Sequence, residues 1–283
     1  ISELMKVCSY KISKSHILFD INERIKKINQ VSLTEISDQN FSKILSDVLG
    51  YMSEDNLQYR TPLSQIYKRN AIDLNCKRHT EIFHTKMAIP EFCFSCIKVQ
   101  VEVDTIFDLI KLTALFYELD LVKNLTTKTF IELRPNISGY YKGLIYCRGL
   151  EEAANVKEIL DTKLNKSFTK KIKSQIKRGC SEFSLKFPEY GDIRDNSVTT
   201  MKYPDEWRSI ENQFDKDNLL KPSHQIMPSM SVFCLSDFHI IQKWIDYAKG
   251  LKDPSCVVFE KKPIIFNEIY LIAKLRKSEL EKN

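Results

Sequence analysis

Residues 97–119 read IKVQVEVDTIFDLIKLTALFYEL, and the hydrophobic period changes inside this one stretch. Ile97, Val99, Val101 and Val103 alternate with Lys98, Gln100 and Glu102, the period-two signature of a strand with one buried face. From Ile106 the apolar residues recur at helical steps through Leu109, Ile110, Thr113 and Leu115 to Leu119, with Asp104 or Thr105 as the N-cap. Downstream, Thr129 to Arg134 reads as a second strand ended by Pro135, and Asn136 to Gly139 has turn chemistry. Tyr140 to Cys147 reads as a third strand, and Leu150 to Leu164 as a second helix with Ala153, Val156, Ile159 and Leu160 on one side. Lys171 to Arg178 reads as a fourth strand.

Strand, helix, strand, strand, helix, strand is the split βαβ order, so the chain is expected to be α+β with a ferredoxin-like βαββαβ unit over residues 91–187. Right-handed crossovers place both helices on one face, which leaves the other face open unless another segment covers it. Residues 1–90 read as a helical N-terminal region: Leu18, Ile21, Ile25 and Ile28 form one stripe behind Ser15, and Phe41, Ile44, Leu45, Val48 and Leu49 another behind Ser37 and Asp38. Residues 188–231 are rich in Pro, Asp, Asn, Ser and Lys and read as an irregular connection, with Trp207 marking a part that packs. Residues 232–283 read as a mostly helical segment, with a helix behind Ser236, short strands at Val257–Phe259 and Ile264–Phe266, and a last helix from Asn267.

The 283 residues, 43% of them apolar, suffice for one large core or two modest ones. Only seven glycines are present, and no GxGxxG or GxxxxGK[ST] occurs, which excludes the Gly-rich phosphate loops of dinucleotide and P-loop folds. Eight scattered cysteines, with no secretory signal and no apolar run of membrane-spanning length, point to reduced thiols in a cytoplasmic compartment and to no membrane partner. The sequence opens on Ile1 rather than Met, so a targeting segment ahead of it would not be visible. Net charge is only +6, but its distribution is uneven: Lys166, Lys170, Lys171, Lys173, Lys177 and Arg178 fall in a stretch without an acidic residue. Oligomeric state is not legible.

Cys76 and His79 are spaced C-x2-H, and Cys93 and Cys96 are spaced C-x2-C, with thirteen residues between the pairs. Two short-spaced pairs of this kind suit a tetrahedral structural zinc site, since one turn can present two ligands to one ion. His84 and Cys180 are alternative ligands, and an iron–sulfur cluster is the lesser alternative to zinc. Against this stands the reading that Cys93 and Cys96 are buried apolar thiols and that the histidines lie on a charged helix surface.

The second candidate is the sheet face away from the helices. Lys98, Tyr140, Lys142, Tyr146, Lys171, Lys173 and Lys177 fall on it, and Arg134 can join them. Tyrosines and lysines on an open sheet suit the stacking of bases and the holding of phosphates, so nucleic acid, RNA above all, or a phosphorylated ligand is the expected partner. Lys142 to Cys147 resembles the third-strand signature of RNA-recognition modules, a basic residue then glycine, but Leu144 replaces an aromatic and the first strand presents no ring. Covered over, the same face with Glu102 and Glu132 would be an enzyme site acting on a phosphorylated or carboxylated substrate. A subunit that docks another protein is the third reading. Ser181 with Glu182, Asp237 with His239, and a Cys180 nucleophile beside Lys177 and Arg178 are lesser catalytic candidates.

Overall fold

The computed structural model describes residues 13–54, 61–68, 74–119, 125–193, 201–218, 232–259 and 263–281. The described chain begins with helices α1 (Phe19–Asn29) and α2 (Asp38–Glu54), then strand β1 (Gln65–Lys68), helix α3 (Cys76–Lys86) and the single turn α4 (Glu91–Phe94). The central segment is β2 (Ile97–Val103), α5 (Ile106–Glu118), β3 (Thr127–Ile131), β4 (Tyr141–Cys147), α6 (Leu150–Ser167) and β5 (Ser174–Arg178). After it come α7 (Ser181–Lys186), α8 (Pro188–Gly191), α9 (Asp205–Asn218), α10 (Leu235–Leu251), a 3-10 helix (Pro254–Phe259) and α11 (Asn267–Leu280). The protein is α+β, with a five-stranded sheet in the order β1-β3-β4-β2-β5 and every pair antiparallel. Among the described residues no helix is long and apolar enough to cross a membrane.

Alternation in β2 sets the whole arrangement. Val99 pairs with Ile145, Val101 with Gly143 and Val103 with Tyr141, so these residues share one face and sink into the main core with α5 and α6. Gly143 is what lets α5 approach: a Cβ there would stand 2.7 Å from Leu112 and 2.8 Å from Phe116. The first turn of α5 is capped by Thr105, whose hydroxyl accepts the Asp108 amide at 3.1 Å. α1, α2 and α10 supply further residues to the same core, including Ile25, Leu45 and Trp244, all at 0% exposure.

α10 is buried nearly all round, and backbone groups of other segments tie down its Lys243 and Asp246. Lys243 donates to the carbonyls of Thr61 (2.6 Å) and Leu63 (2.8 Å), and Asp246 accepts the amides of Ile265 and Phe266. A second, smaller cluster, with Phe83, Cys93, Phe183 and Tyr190 at its centre, gathers α3, α4, α7 and α8 near the β2–β5 end of the sheet.

Several elements depart from the sequence expectation. β1 was not visible, because four residues are too few to display a period. The stretch 188–231 is not irregular throughout: it contains α8 and α9, whose stripe of Trp207, Ile210 and Phe214 is narrow enough to be masked by charge, while residues 194–200 and 219–231 lie outside the described ones. Val257 to Phe259 ends a 3-10 helix and Ile264 to Phe266 has no regular structure, so neither is a strand. The N-cap of α10 is Cys234 rather than Ser236, since Asp237 turns back to accept the Cys234 amide at 3.0 Å.

Candidate functional site

The face of the sheet away from α5 and α6 follows from the same register. Lys98 pairs with Tyr146 on one side and Lys177 on the other, Glu102 pairs with Lys142, and Lys142 with Phe130; Lys128 lies between Leu144 and Tyr67. Lys98, Lys142, Tyr146 and Lys177 are thus brought together as the alternation implies. Lys171 and Lys173 precede β5, which begins at Ser174, and both are exposed. Tyr140 lies just ahead of β4, its ring edge-on to Tyr141 with centroids 6.5 Å apart. Lys128 was missed, because the second strand begins two residues earlier than its sequence suggested.

This face is not open over its centre. Lys98 is 5% exposed and Lys142 2%. The connection before β4 folds against it, with Lys142 bonded to the Ser138 carbonyl, and α7 approaches from the β5 side. There Lys177 donates to the Ser181 hydroxyl at 2.6 Å and Arg134 meets Glu182 at 2.5 Å. Charges inside are paired in part: Lys142 stands 3.3 Å from Glu132 and 3.8 Å from Glu102, and Arg134 grips Glu132. Cations still outnumber carboxylates. Burial, then the neighbouring Lys98 and Lys142, push the Lys177 ammonium down to about 8, and burial together with Lys98 brings Lys128 down to about 8.

The two cysteine pairs also converge. Cys76 opens α3, Cys93 sits in α4, Cys96 immediately precedes β2, and Cys180 follows β5 after Gly179. These four, with His79, Lys98 and Tyr146 among their neighbours, line one void of about 20 Å³. Cys180 arrives there because Ile97 pairs with Arg178, and the Gly179 amide donates to the Cys96 carbonyl at 2.8 Å. Gly179 turns with φ +51°, and any Cβ there would run into the Tyr190 hydroxyl. That hydroxyl donates to the Cys93 carbonyl at 2.6 Å.

His84 is exposed and does not reach the void. His79 is buried, with its ring stacked on Phe92 at 5.2 Å. Cys76 lies at the exposed rim of the void, whereas burial raises the thiol pKa of Cys93 and Cys96. As the side chains stand, no three His, Cys, Asp or Glu among the described residues are gathered in a metal-holding group. A larger cavity of about 260 Å³, lined by Ser95, Leu125 and Thr126 among others, adjoins the void and shares Leu74, Phe92, Cys96 and Tyr146 with it.

Asp237 accepts from the Tyr117 hydroxyl at 3.2 Å and from the Cys234 amide, so its carboxylate serves the start of α10. Comparison of the chain with protein-family models, with curated proteins and with solved structures gives no match.

Proposed function

We propose that the segment from β2 to β5 is a ferredoxin-like unit that binds a compact anionic ligand, phosphorylated or carboxylated, on its basic face. The fold reading is supported by the order β3-β4-β2-β5, in which the first and last strands of the segment are neighbours. The ligand reading rests on one observation: Lys98, Lys128, Lys142, Lys177 and Arg134 crowd a sheltered face on which Glu102, Glu132 and Glu182 neutralise only part of the charge. Cations kept from water without full compensation are costly, and an anion in their midst would relieve that cost.

A compact ligand suits this face better than a nucleic-acid strand. Lys98 and Lys142 are nearly inaccessible to an extended chain. The rings on this face already have ammonium partners: Lys98 lies 5.5 Å from the Tyr146 ring, and Lys128 lies 5.5 Å from Tyr67 and 4.6 Å from Phe130. Bases therefore meet no free stacking platform. A catalytic reading is favoured by the pair Lys177 and Ser181, 2.6 Å apart, since a lysine lowered to about 8 can act as the base for a hydroxyl nucleophile.

The test is thermal unfolding with inorganic pyrophosphate, citrate or a single-stranded oligoribonucleotide, at low and high salt, on wild type and on Lys98→Met and Lys177→Met. Saturable stabilisation by pyrophosphate or citrate, of about 2.7 kcal/mol at a hundredfold excess over Kd and weakened in both variants, is expected. Binding of RNA alone, with a steep salt slope, would move the assignment to nucleic acid. No response to any of the three would remove the ligand reading.

A further inference from the structure

Three separate segments deliver Cys76, Cys93, Cys96 and Cys180 to one void at the β2–β5 end of the sheet. We propose that Cys76, Cys93, Cys96 and Cys180 are the four ligands of a single structural zinc ion, with His79 outside the ligand set. This inference stands independently of the anion-binding reading.

Size points to one ion. A void of about 20 Å³ admits a single atom-sized species. Donor type points to zinc: four thiolates at about 2.3 Å form a closed tetrahedral site, the arrangement of structural rather than catalytic zinc.

The backbone holding Cys93, Cys96 and Cys180 is fixed from both sides. Cys96 closes the Cys93 turn through its amide at 3.3 Å, Tyr190 holds the Cys93 carbonyl, and Gly179 ties the Cys180 end of β5 to Cys96. The Arg178 guanidinium adds a bond to the Phe94 carbonyl at 3.0 Å, so the C-x2-C turn and the end of β5 move as one piece. The thiols are not gathered around one point as they stand. Charge also fits: a zinc tetrathiolate carries a net negative charge, and the Lys98 ammonium borders the void.

His79 shares the void with its ring stacked on Phe92, and Cys180 is what completes an all-thiolate set of four beside it. A closed site here would staple α3 and α4 to the sheet, adding to the small second core around Phe83, Phe183 and Tyr190.

Protein purified under reducing conditions is to be analysed for zinc, iron and acid-labile sulfide, and its thiols titrated with a disulfide reagent before and after chelation. Cobalt(II) substitution of the wild-type protein reports the number of thiolates without relying on any variant. Cys180→Ser and His79→Gln are measured alongside, with circular dichroism to verify folding. The expected result is about one zinc per chain, thiols that react only after chelation, a four-thiolate cobalt spectrum, and metal retained in His79→Gln but lost in Cys180→Ser. Absence of zinc together with no tetrahedral cobalt spectrum would overturn the proposal. Iron with sulfide would overturn it too, as would a Cys180→Ser protein that keeps its zinc while His79→Gln loses it.

Discussion

Arg134 holds Glu132 by both oxygens, Nε to Oε1 at 2.7 Å and Nη2 to Oε2 at 2.6 Å, and reaches Glu182 of α7 with its remaining nitrogen. Burial alone would raise the Glu132 pKa, but the bonds from Arg134 and the charges of Arg134 and Lys142 outweigh it and hold the carboxyl below its ordinary value. Glu182 is lowered in the same way, burial being outweighed by Arg134. Their contribution to stability is complete above the unfolded glutamate pKa of about 4.3 and is lost as pH falls through the depressed native values. The urea midpoint is therefore expected to fall from about pH 5 downward, with a flatter acid limb in Glu132→Gln. At neutral pH that variant should lose about 1–3 kcal/mol, less than a fully buried pair, because Arg134 is partly solvated and keeps Glu182. An acid limb as steep as wild type in the variant would contradict this account.

Gly143 sets the distance between α5 and the sheet. Gly143→Val would drive its side chain into Leu112 and Phe116 and should cost at least the 1–3 kcal/mol typical of roughly one overpacked site. A paired Phe116→Ala change, which opens space beside it, should recover part of that loss. Additive losses in the double variant, measured by chemical denaturation, would show that the contact is relieved elsewhere.

Arg276 of α11, 3% exposed, ties down the connection between β3 and β4. Its guanidinium donates to the carbonyls of Ile137 at 2.8 Å and Gly139 at 3.1 Å, bonds the Arg134 carbonyl, and meets the Tyr247 hydroxyl at 3.0 Å. Arg276→Met strands several buried acceptors and is expected to destabilise by about 2–4 kcal/mol. Arg276→Lys should rescue little, because an ammonium cannot reach the same set of oxygens from one position. Limited proteolysis should then open the chain between residues 132 and 140 first.

Arg78 joins α3 to α9 through Glu211 at 3.0 Å and a two-nitrogen grip on Asp215 at 2.7 and 2.8 Å. Arg78→Ala should loosen α9 rather than unfold the protein, with faster hydrogen exchange in residues 205–218 and a global loss of about 1 kcal/mol. Unchanged exchange in α9 would assign its docking to its apolar stripe of Trp207, Ile210 and Phe214 and to the Glu91 contacts of Arg208 and Glu211.

The alternation of Ile97 to Val103 and the helical spacing after Ile106 were legible because they are local: a strand or helix that buries one face writes its period into consecutive residues. The same logic identified Tyr141, Gly143, Ile145 and Cys147 as the core side of β4. α9 and β1 were not legible, one because a narrow apolar stripe is masked by charge, the other because a short edge strand depends on its partner β3 for its existence. Of the candidate site, both cysteine pairs were visible as spacings, and parity placed Lys98, Lys142, Tyr146 and Lys177 on one face.

By itself, then, the sequence determined the α+β class, the elements from β2 to β5 and which side of each strand would be apolar. Only the tertiary structure decided that Cys180 and not His84 joins the cysteine pairs, since their meeting depends on β5 lying beside β2. It also decided that Lys98 and Lys142 are shut away, Lys142 beside Glu132 and Lys98 over the Tyr146 ring, instead of facing solvent. Periodicity states which side chains share a face, but what packs against that face is set by segments distant in the chain, whose approach leaves no mark on local spacing.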